Sequence, residues 1–182
     1  MLWLPLFSTV IGAVIALSGT LLSGKLVAVH HLSREREDFR RTVYVDFSTA
    51  LDAAHFALRS VAQDPGPGRD LRAEASAAIA ESGLHRTRES LLMFSPVKVS
   101  SAGESAFLAL IEMRRVVQQG ENPQSAKYHS AYHAFAERIW NFRLVVRKDV
   151  GVEAFTPGSL GHSEWSERED CSLCRGSAQR PN

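Results

Sequence analysis

Two histidines and a glutamate near the end of the chain are spaced as metal ligands sometimes are. His129, His133 and Glu137 follow one another at intervals of four residues, so a helix would present them on one face, and imidazole and carboxylate groups are common ligands of Zn²⁺. The motif lacks the glutamate that follows the first histidine in a metalloprotease helix. No second helix rich in such groups is evident, although His55 or His85 could approach in a bundle. A solvated stripe beside an apolar face explains the spacing more simply.

The two cysteines of the chain form a second candidate. Cys171 and Cys174 are separated by two residues, but a structural zinc site needs four ligands. His162 could supply a third ligand, or a second copy of the chain could supply two more thiols. A redox-active pair usually opens a helix beside a strand pattern, which this segment lacks, and a reducing cytoplasm would keep the thiols reduced. We interpret the pair as incidental to a polar tail.

Other motifs with recognisable chemistry are missing from the sequence. It contains no phosphate-binding loop, nucleophile elbow, dinucleotide fingerprint or paired-carboxylate arrangement. The formal net charge of +1 provides no basic footprint for direct contact with nucleic acid, and no site for a small-molecule substrate is evident. We therefore predict a protein that is not an enzyme, with no catalytic residue, no cofactor and no metal. Five residues are kept as candidate metal ligands: His129, His133, Glu137, Cys171 and Cys174.

The first 24 residues carry no charged side chain. As a helix, residues 2–24 would extend about 34 Å, which is enough to cross a hydrocarbon core of about 30 Å, and Trp3 would lie at headgroup depth. A cleaved signal peptide is one alternative, but it requires basic residues before a short apolar core, and none precedes this long apolar run. A buried core helix is the other, but an all-round apolar stretch of this length at a terminus rarely lies inside a small soluble domain. The sequence predicts an uncleaved transmembrane anchor, with its juxtamembrane segment, over residues 1–32.

The distribution of basic residues around this span predicts its orientation. Only the α-amino group precedes the span, whereas five basic residues follow it closely: Lys25, Arg34, Arg36, Arg40 and Arg41. Because basic residues accumulate on the cytoplasmic side, we expect a single-pass protein of the cell membrane with its N-terminus outside and its C-terminal domain in the cytoplasm. Lys25, Arg34 and Arg36 would then lie at the membrane surface.

Small residues recur every four positions within the predicted span. They would form one stripe along which two transmembrane helices can approach closely, and they are Ser8, Gly12, Ala16, Thr20 and Gly24. Small residues are also common in any transmembrane helix. The stripe therefore suggests self-association without requiring it.

Helical periodicity dominates the rest of the chain, with apolar residues recurring every three or four positions. Four helices are expected: the first over residues 33–62, the second from a cap at Asp70 to Phe94, the third after a capping box at Ser101 and Glu104, and the fourth after a cap at Asn122. Nothing between residues 24 and 39 breaks a helix, so the anchor should continue into the first. Short connections favour antiparallel neighbours. The sequence thus predicts an all-α fold, with a cytoplasmic bundle of about four helices over residues 33–155.

The fourth predicted helix has an aromatic-rich face and a basic end. Arg143, Arg147 and Lys148 complement the helix dipole there. In an up-down bundle the fourth helix returns towards the membrane, so these three side chains are also expected at the membrane surface. Beyond it, residues 156–182 contain few apolar anchors and are expected to form a disordered, flexible tail.

One stretch of the chain resembles a known group of proteins. The residues RRTVYVDF (40–47) and ALD (50–52), placed after a short anchor and a charged juxtamembrane helix, are similar to actinobacterial single-pass proteins, some of which are named after the plasmid spread protein KilB. The resemblance covers at most the first third of the chain. It implies a membrane role in mycelial plasmid spread and carries over no catalytic residue.

These observations predict a non-enzymatic, membrane-anchored helical module that binds a protein partner or a second copy of itself. One alternative is a membrane factor in plasmid spread or DNA transfer, which would act through other proteins because the chain is nearly neutral. Another is a metal-binding protein or enzyme that uses the histidine-rich face of the fourth helix.

Overall fold

The computed structural model describes the backbone of residues 4–64, 66, 68–166, 168, 171, 173 and 174, and the side chains of His31 and of the residues in this set from 34 onward. The described residues form five α-helices and no strand, so the predicted all-α class is confirmed. The helices are α1 (Leu4–Gln63), α2 (Leu71–Glu81), α3 (Leu84–Phe94), α4 (Val97–Gln118) and α5 (Ala126–Asp149), and a single 3₁₀ turn follows at Pro157–Leu160.

The chain divides into two compact units, residues 1–39 and residues 40–182. In the first unit the backbone is helical from Leu4 onward, and His31 lies 3.1 Å from Glu35 one turn later. Over the described residues, no helix has both the length and the apolar character that crossing a membrane requires. The predicted span, residues 2–24, falls where side chains lie outside the described set.

The second unit is a helical bundle in which α1 and α5 run antiparallel. The ring of Phe47 meets the ring of Phe142 edge to face at a centroid distance of 5.2 Å, and further along α1 the imidazole of His55 lies 5.1 Å from the ring of Phe135. Residue numbers therefore rise along α1 while those of their partners on α5 fall. Phe47, Phe135 and Phe142 are buried and belong to one core, as the apolar periodicity of both segments predicts.

Helix α4 packs closely against this pair, at a position where only a glycine fits. A Cβ added at Gly103 would overlap the side chain of Leu91, and it would lie 3.2 Å from the Cε1 of Phe47 and 3.4 Å from the Cε2 of Phe142. The missing side chain lets α4 approach α1, α3 and α5 together.

The predicted second helix is instead two helices, α2 and α3. Gly83 adopts φ = 72°, in the left-handed region that glycine tolerates best, and the amide of Leu84 donates to the Ser82 hydroxyl at 3.2 Å. Both helices still pack on α4. Arg88 makes two hydrogen bonds to the carboxylate of Glu104, at 2.7 and 2.8 Å.

Two of the predicted helix starts are wrong. Helix α4 begins at Val97, directly after Pro96, so Ser101 lies inside the helix and the Glu104 carboxylate binds Arg88 instead of closing a capping box. In α5 the N-cap is Ser125, whose hydroxyl accepts from the Tyr128 amide at 3.1 Å. Proline and short polar side chains favour several neighbouring positions equally, and tertiary packing selects among them.

Other predicted ends are confirmed. The Asp70 carboxylate accepts a hydrogen bond from the Ala73 amide at 3.0 Å and caps α2. Gly120 and Gly151 follow the ends of α4 and α5, each with a positive φ, of 82° and 72°. Asp70 thus satisfies a free amide at the start of a helix, and the two glycines adopt the left-handed conformation with which helices commonly end.

The segment expected to be a flexible tail packs against the bundle in the part that the structure describes. After Gly151 the chain turns back along α5, forms the 3₁₀ turn at Pro157–Leu160 and brings Trp165 onto Trp140. The stacked indole rings lie 4.7 Å apart between centroids. Aromatic residues thus anchor a segment whose polar composition alone suggests a solvated tail.

A candidate metal centre between α5 and the C-terminal segment

Helix α5 supplies two imidazoles to one place. His129 and His133 lie one turn apart near the N-terminal end of the helix, with ring centroids 5.8 Å apart. The Ser125 cap fixes the helix start, and the i, i+4 spacing directs both rings to the same side. His133 leaves only 2% of its surface exposed, and it is the one buried polar residue in the part of the chain that the structure describes.

An aromatic cluster brings the C-terminal segment against α5. It consists of Trp140 on the helix and Phe155 and Trp165 on the returning segment, and the Phe155 ring lies 5.8 Å from that of Trp140 and 5.9 Å from that of Trp165. The guanidinium groups of Arg143 and Arg147 lie over the rings of Trp140 and Phe155, at 4.8 and 4.4 Å. This contact determines where the chain beyond Trp165 runs, because Trp165 is only six residues from Cys171.

The returning segment places both cysteines beside the two histidines. One potential ligand atom from each of His129, His133, Cys171 and Cys174 lies within 4.8 Å of all the others. Cys171 Sγ lies 3.2 Å from His129 Nδ1. In a tetrahedral Zn²⁺ site, bond lengths of about 2.0–2.3 Å place neighbouring ligand atoms about 3.3–3.8 Å apart. Small rotations of these side chains would therefore complete the shell.

A second feature of His133 is typical of a metal ligand. Its Nδ1 lies 2.5 Å from the carbonyl oxygen of Ser166, and since a carbonyl only accepts, Nδ1 carries the proton. The lone pair then resides on Nε2, which is buried and has no hydrogen-bond partner among the described residues. An imidazole that donates from one nitrogen to a backbone carbonyl and offers the other to a cation is the usual arrangement in metalloproteins.

The surroundings of Cys174 oppose ionisation of its thiol. Burial raises the pKa of the Cys174 thiol above its usual value, and the neighbouring Cys171 raises it further, whereas the positive charge of Arg168 lowers it. A bound divalent cation would reverse this balance, because the thiolate is the form that coordinates and metal binding releases the proton.

Four of the five candidate ligands are thus brought together, and one is not. Glu137 is exposed on α5 and is not part of the group. The imidazole of His162 lies beside the aromatic cluster, 6.2 Å from the Trp140 ring. His55 stacks on Tyr132 in the core, where burial and the charge of Arg59 lower its pKa, and His85 contacts Phe107.

The sequence shows the histidine pair and the cysteine pair separately, but it does not show that the two pairs meet in one site. His129 and Cys171 are 42 residues apart, and each half contributes only two of the four ligands that zinc needs. The helpful signal would have been the pair of tryptophans, Trp140 and Trp165, placed between the two half-sites. It predicts that the segment after α5 folds back.

The basic residues predicted at the membrane surface have varied surroundings. Arg143 donates to the Asp52 carboxylate at 3.2 Å, Arg147 donates to the Glu153 carbonyl at 2.8 Å, and Lys148 is exposed beside a groove that Pro96 and Val97 also line. Arg34 and Arg36 are exposed on α1. The side chains of Lys25 and of the small-residue stripe lie outside the described set: Ser8, Gly12, Ala16, Thr20 and Gly24.

Comparison of the chain with family models, with curated proteins and with solved structures gives no match.

Proposed function

We propose that this protein is a non-enzymatic, membrane-anchored helical module in which a zinc ion fastens the C-terminal segment to α5. The observation that carries the proposal is the convergence of four ligand atoms, from His129, His133, Cys171 and Cys174, within 4.8 Å. Two thiolates and two imidazoles are the set that tetrahedral Zn²⁺ prefers, whereas Mg²⁺ and Ca²⁺ prefer oxygen ligands.

The number of ligands supports a structural role for the ion. Four protein ligands complete a tetrahedral shell, and no position is left for the water or substrate that a catalytic zinc must bind. The burial of His133 supports the same conclusion, since it limits access to the ion on that side. This is the support for the non-enzymatic assignment.

The ion would supply binding energy that the segment otherwise lacks. Val152, Leu160 and Leu173 each leave 46% of their surface exposed, so the described part of the segment buries little aliphatic surface. Where ligands converge only in the folded state, the free energy of metal binding becomes free energy of folding. Zinc would thus act together with the aromatic cluster to hold the C-terminal segment against α5.

The zinc site is tested by elemental analysis of the full chain, purified in detergent with a histidine-free tag and no chelator. We expect one zinc ion per chain. The double variant Cys171→Ser/Cys174→Ser should lose the ion, whereas Glu137→Gln, an exposed carboxylate on the same helix, should retain it. Zinc well below one per chain after supplementation with ZnCl₂, or equal zinc in the double variant, would contradict the proposal.

The anchor is supported by the uncharged residues 1–24 and by the basic residues that follow them. The stripe from Ser8 to Gly24 supports self-association of this anchor, so the partner of the module is a second copy or another membrane protein. A reporter that is active only in the cytoplasm, fused after Asn182, should be active in cells. Activity only with a reporter of the outer face would contradict the orientation.

A further inference from the structure

We propose that the metal centre is a redox switch: a peroxide oxidises Cys171 and Cys174 to a disulfide, the zinc ion leaves, and the C-terminal segment separates from α5. This inference rests on the proposed zinc site and assigns its regulation. It follows from how the four ligands are divided between the buried and the accessible sides of the site.

Three of the four ligands, His129 and the two cysteines, are partly exposed, and His133 closes the site on its own side. His133 is 2% exposed and is held by the Ser166 carbonyl, whereas both cysteines are partly exposed. A small oxidant such as hydrogen peroxide can therefore reach the sulfurs directly. Susceptibility to oxidation follows exposure and thiolate character, and zinc holds both sulfurs as thiolates.

The two sulfurs are also placed to react with each other. Their Sγ atoms lie within 4.8 Å, and the spacing of two residues between the cysteines is one that thiol–disulfide couples commonly use. The chain has no third cysteine, so a sulfenic acid on either sulfur has one intramolecular thiol partner. The site thus contains both the attacking and the resolving thiolate.

The oxidation balances with hydrogen peroxide as the oxidant. The first thiolate attacks a peroxide oxygen and becomes a sulfenic acid, and the hydroxide that leaves takes up a proton. The second thiolate attacks the sulfenic sulfur, the S–S bond forms, and a second hydroxide leaves and is protonated. Two electrons pass from the sulfurs to the peroxide, which becomes two waters, and zinc departs as Zn²⁺.

Loss of the two thiolates removes two of the four proposed zinc ligands, and these are the two that the segment supplies. His129 and His133 alone are a weak zinc site, since a stable structural site requires four ligands. The segment is then held to α5 by direct contacts alone, among them the stack of Trp165 on Trp140 and the hydrogen bond from His133 to Ser166. Without the ion, the segment should separate from α5 and uncover the indole of Trp140.

The experiment uses the zinc-loaded full chain carrying Trp3→Phe, so that Trp140 and Trp165 are the tryptophans that fluoresce. Hydrogen peroxide is added in the presence of a chromogenic zinc chelator. We expect release of one zinc per chain, loss of both titratable thiols and a red shift of the emission. The peptide containing both cysteines should lose two hydrogen atoms in mass. A dithiol reductant with ZnCl₂ should reverse every change.

Two controls separate release of the segment from oxidation elsewhere. Removal of zinc by EDTA without oxidant should produce the same emission shift, and Glu137→Gln should respond to peroxide as the parent does. Zinc retained under peroxide, zinc lost with sulfinic acids instead of a disulfide, or zinc lost with unchanged emission would each overturn the inference. Zinc content is measured first. A chain that never binds zinc refutes the proposed function, whereas a chain that binds zinc and retains it under peroxide refutes only the redox switch.

Discussion

The phenolic hydroxyl of Tyr44 donates a hydrogen bond of 2.7 Å to the carboxylate of Asp149, and so joins α1 to the last residue of α5. Tyr44 is buried, and the guanidinium of Arg40 lies 3.9 Å from the same carboxylate oxygen. The two partners are 105 residues apart in the chain. This bond helps fix the register of the antiparallel pair, because a shift along either helix would leave a buried hydroxyl unsatisfied.

The Tyr44 bond makes stability depend on pH in the alkaline range. Burial, together with the hydrogen bond to Asp149 and the charge of that carboxylate, raises the pKa of Tyr44 from 10.0 to about 12. A pKa that is higher in the folded state contributes stability that is complete below about pH 10 and is lost as the pH rises towards about 12. Urea denaturation of the parent should show this loss, and Tyr44→Phe should remove this part of it.

Tyr128 provides the matched control at neutral pH. Its hydroxyl is buried and has no hydrogen-bond partner among the described residues. Tyr44→Phe should therefore lower the free energy of unfolding by about 1 kcal/mol, whereas Tyr128→Phe should leave it unchanged or raise it. Equal losses in the two variants would show that the bond to Asp149 contributes nothing specific.

The apolar face of α5 should contribute much of the core energy. Phe135 is 2% exposed and contacts His55, whereas Phe56, on α1, is 73% exposed. Phe135→Ala should lower the free energy of unfolding by about 3–5 kcal/mol, and Phe56→Ala should change it by less than about 0.5 kcal/mol. Chemical denaturation of both variants measures the difference. A loss below about 1 kcal/mol for Phe135→Ala would mean that its ring is not part of the core.

The helical bundle could be predicted from the sequence because its determinant is periodic. Phe47, Leu51, Ala54 and Leu58 recur at helical spacing and are all buried, so the pattern alone identifies the face of α1 that packs. The break at Gly83 was less predictable. A glycine inside a helical pattern either weakens the helix or ends it, and the choice depends on how α2 and α3 pack on α4.

The metal centre could be predicted only as separate halves. Helical spacing aligns His129 with His133, and the short interval keeps Cys171 near Cys174, so each pair is a local property of the sequence. Their meeting depends on the stack between Trp140 and Trp165, which is a tertiary contact without a period. Composition alone therefore predicts a tail for residues 156–182, which are polar and contain a single tryptophan, Trp165, although the contact of that residue with Trp140 helps determine the path of the segment.

Gly103 should be intolerant of even one methyl group. In an exposed helix, alanine would be favoured over glycine by about 1 kcal/mol. Here the new Cβ would overlap the buried Leu91 and press on the Phe47 ring at 3.2 Å, so we expect a net loss of about 1–3 kcal/mol. Thermal melting compares Gly103→Ala with Gly158→Ala, where nothing lies within 4 Å of the added atom. A Gly103→Ala variant as stable as the parent would contradict the close approach of α4.

Trp165 should affect zinc binding without touching the ion. Its ring stacks on Trp140 at 4.7 Å and lies 5.9 Å from the Phe155 ring, and this cluster positions the chain that carries both cysteines. Trp165→Ala removes the stack, which contributes about 0.5–1.5 kcal/mol beyond the buried area, so zinc affinity should fall about 10-fold or more. Competition with a chromogenic chelator measures the change in the full chain.

Leu160→Ala is the matched control for this effect, because Leu160 lies on the same segment and leaves 46% of its surface exposed. Its zinc affinity should stay within about 2-fold of the parent, since removing an exposed side chain changes stability by less than about 0.5 kcal/mol. Both variants should still bind one zinc per chain when ZnCl₂ is in excess, because all four ligands are intact. If Trp165→Ala bound zinc as tightly as Leu160→Ala, the cysteines would reach His129 and His133 without the aromatic cluster.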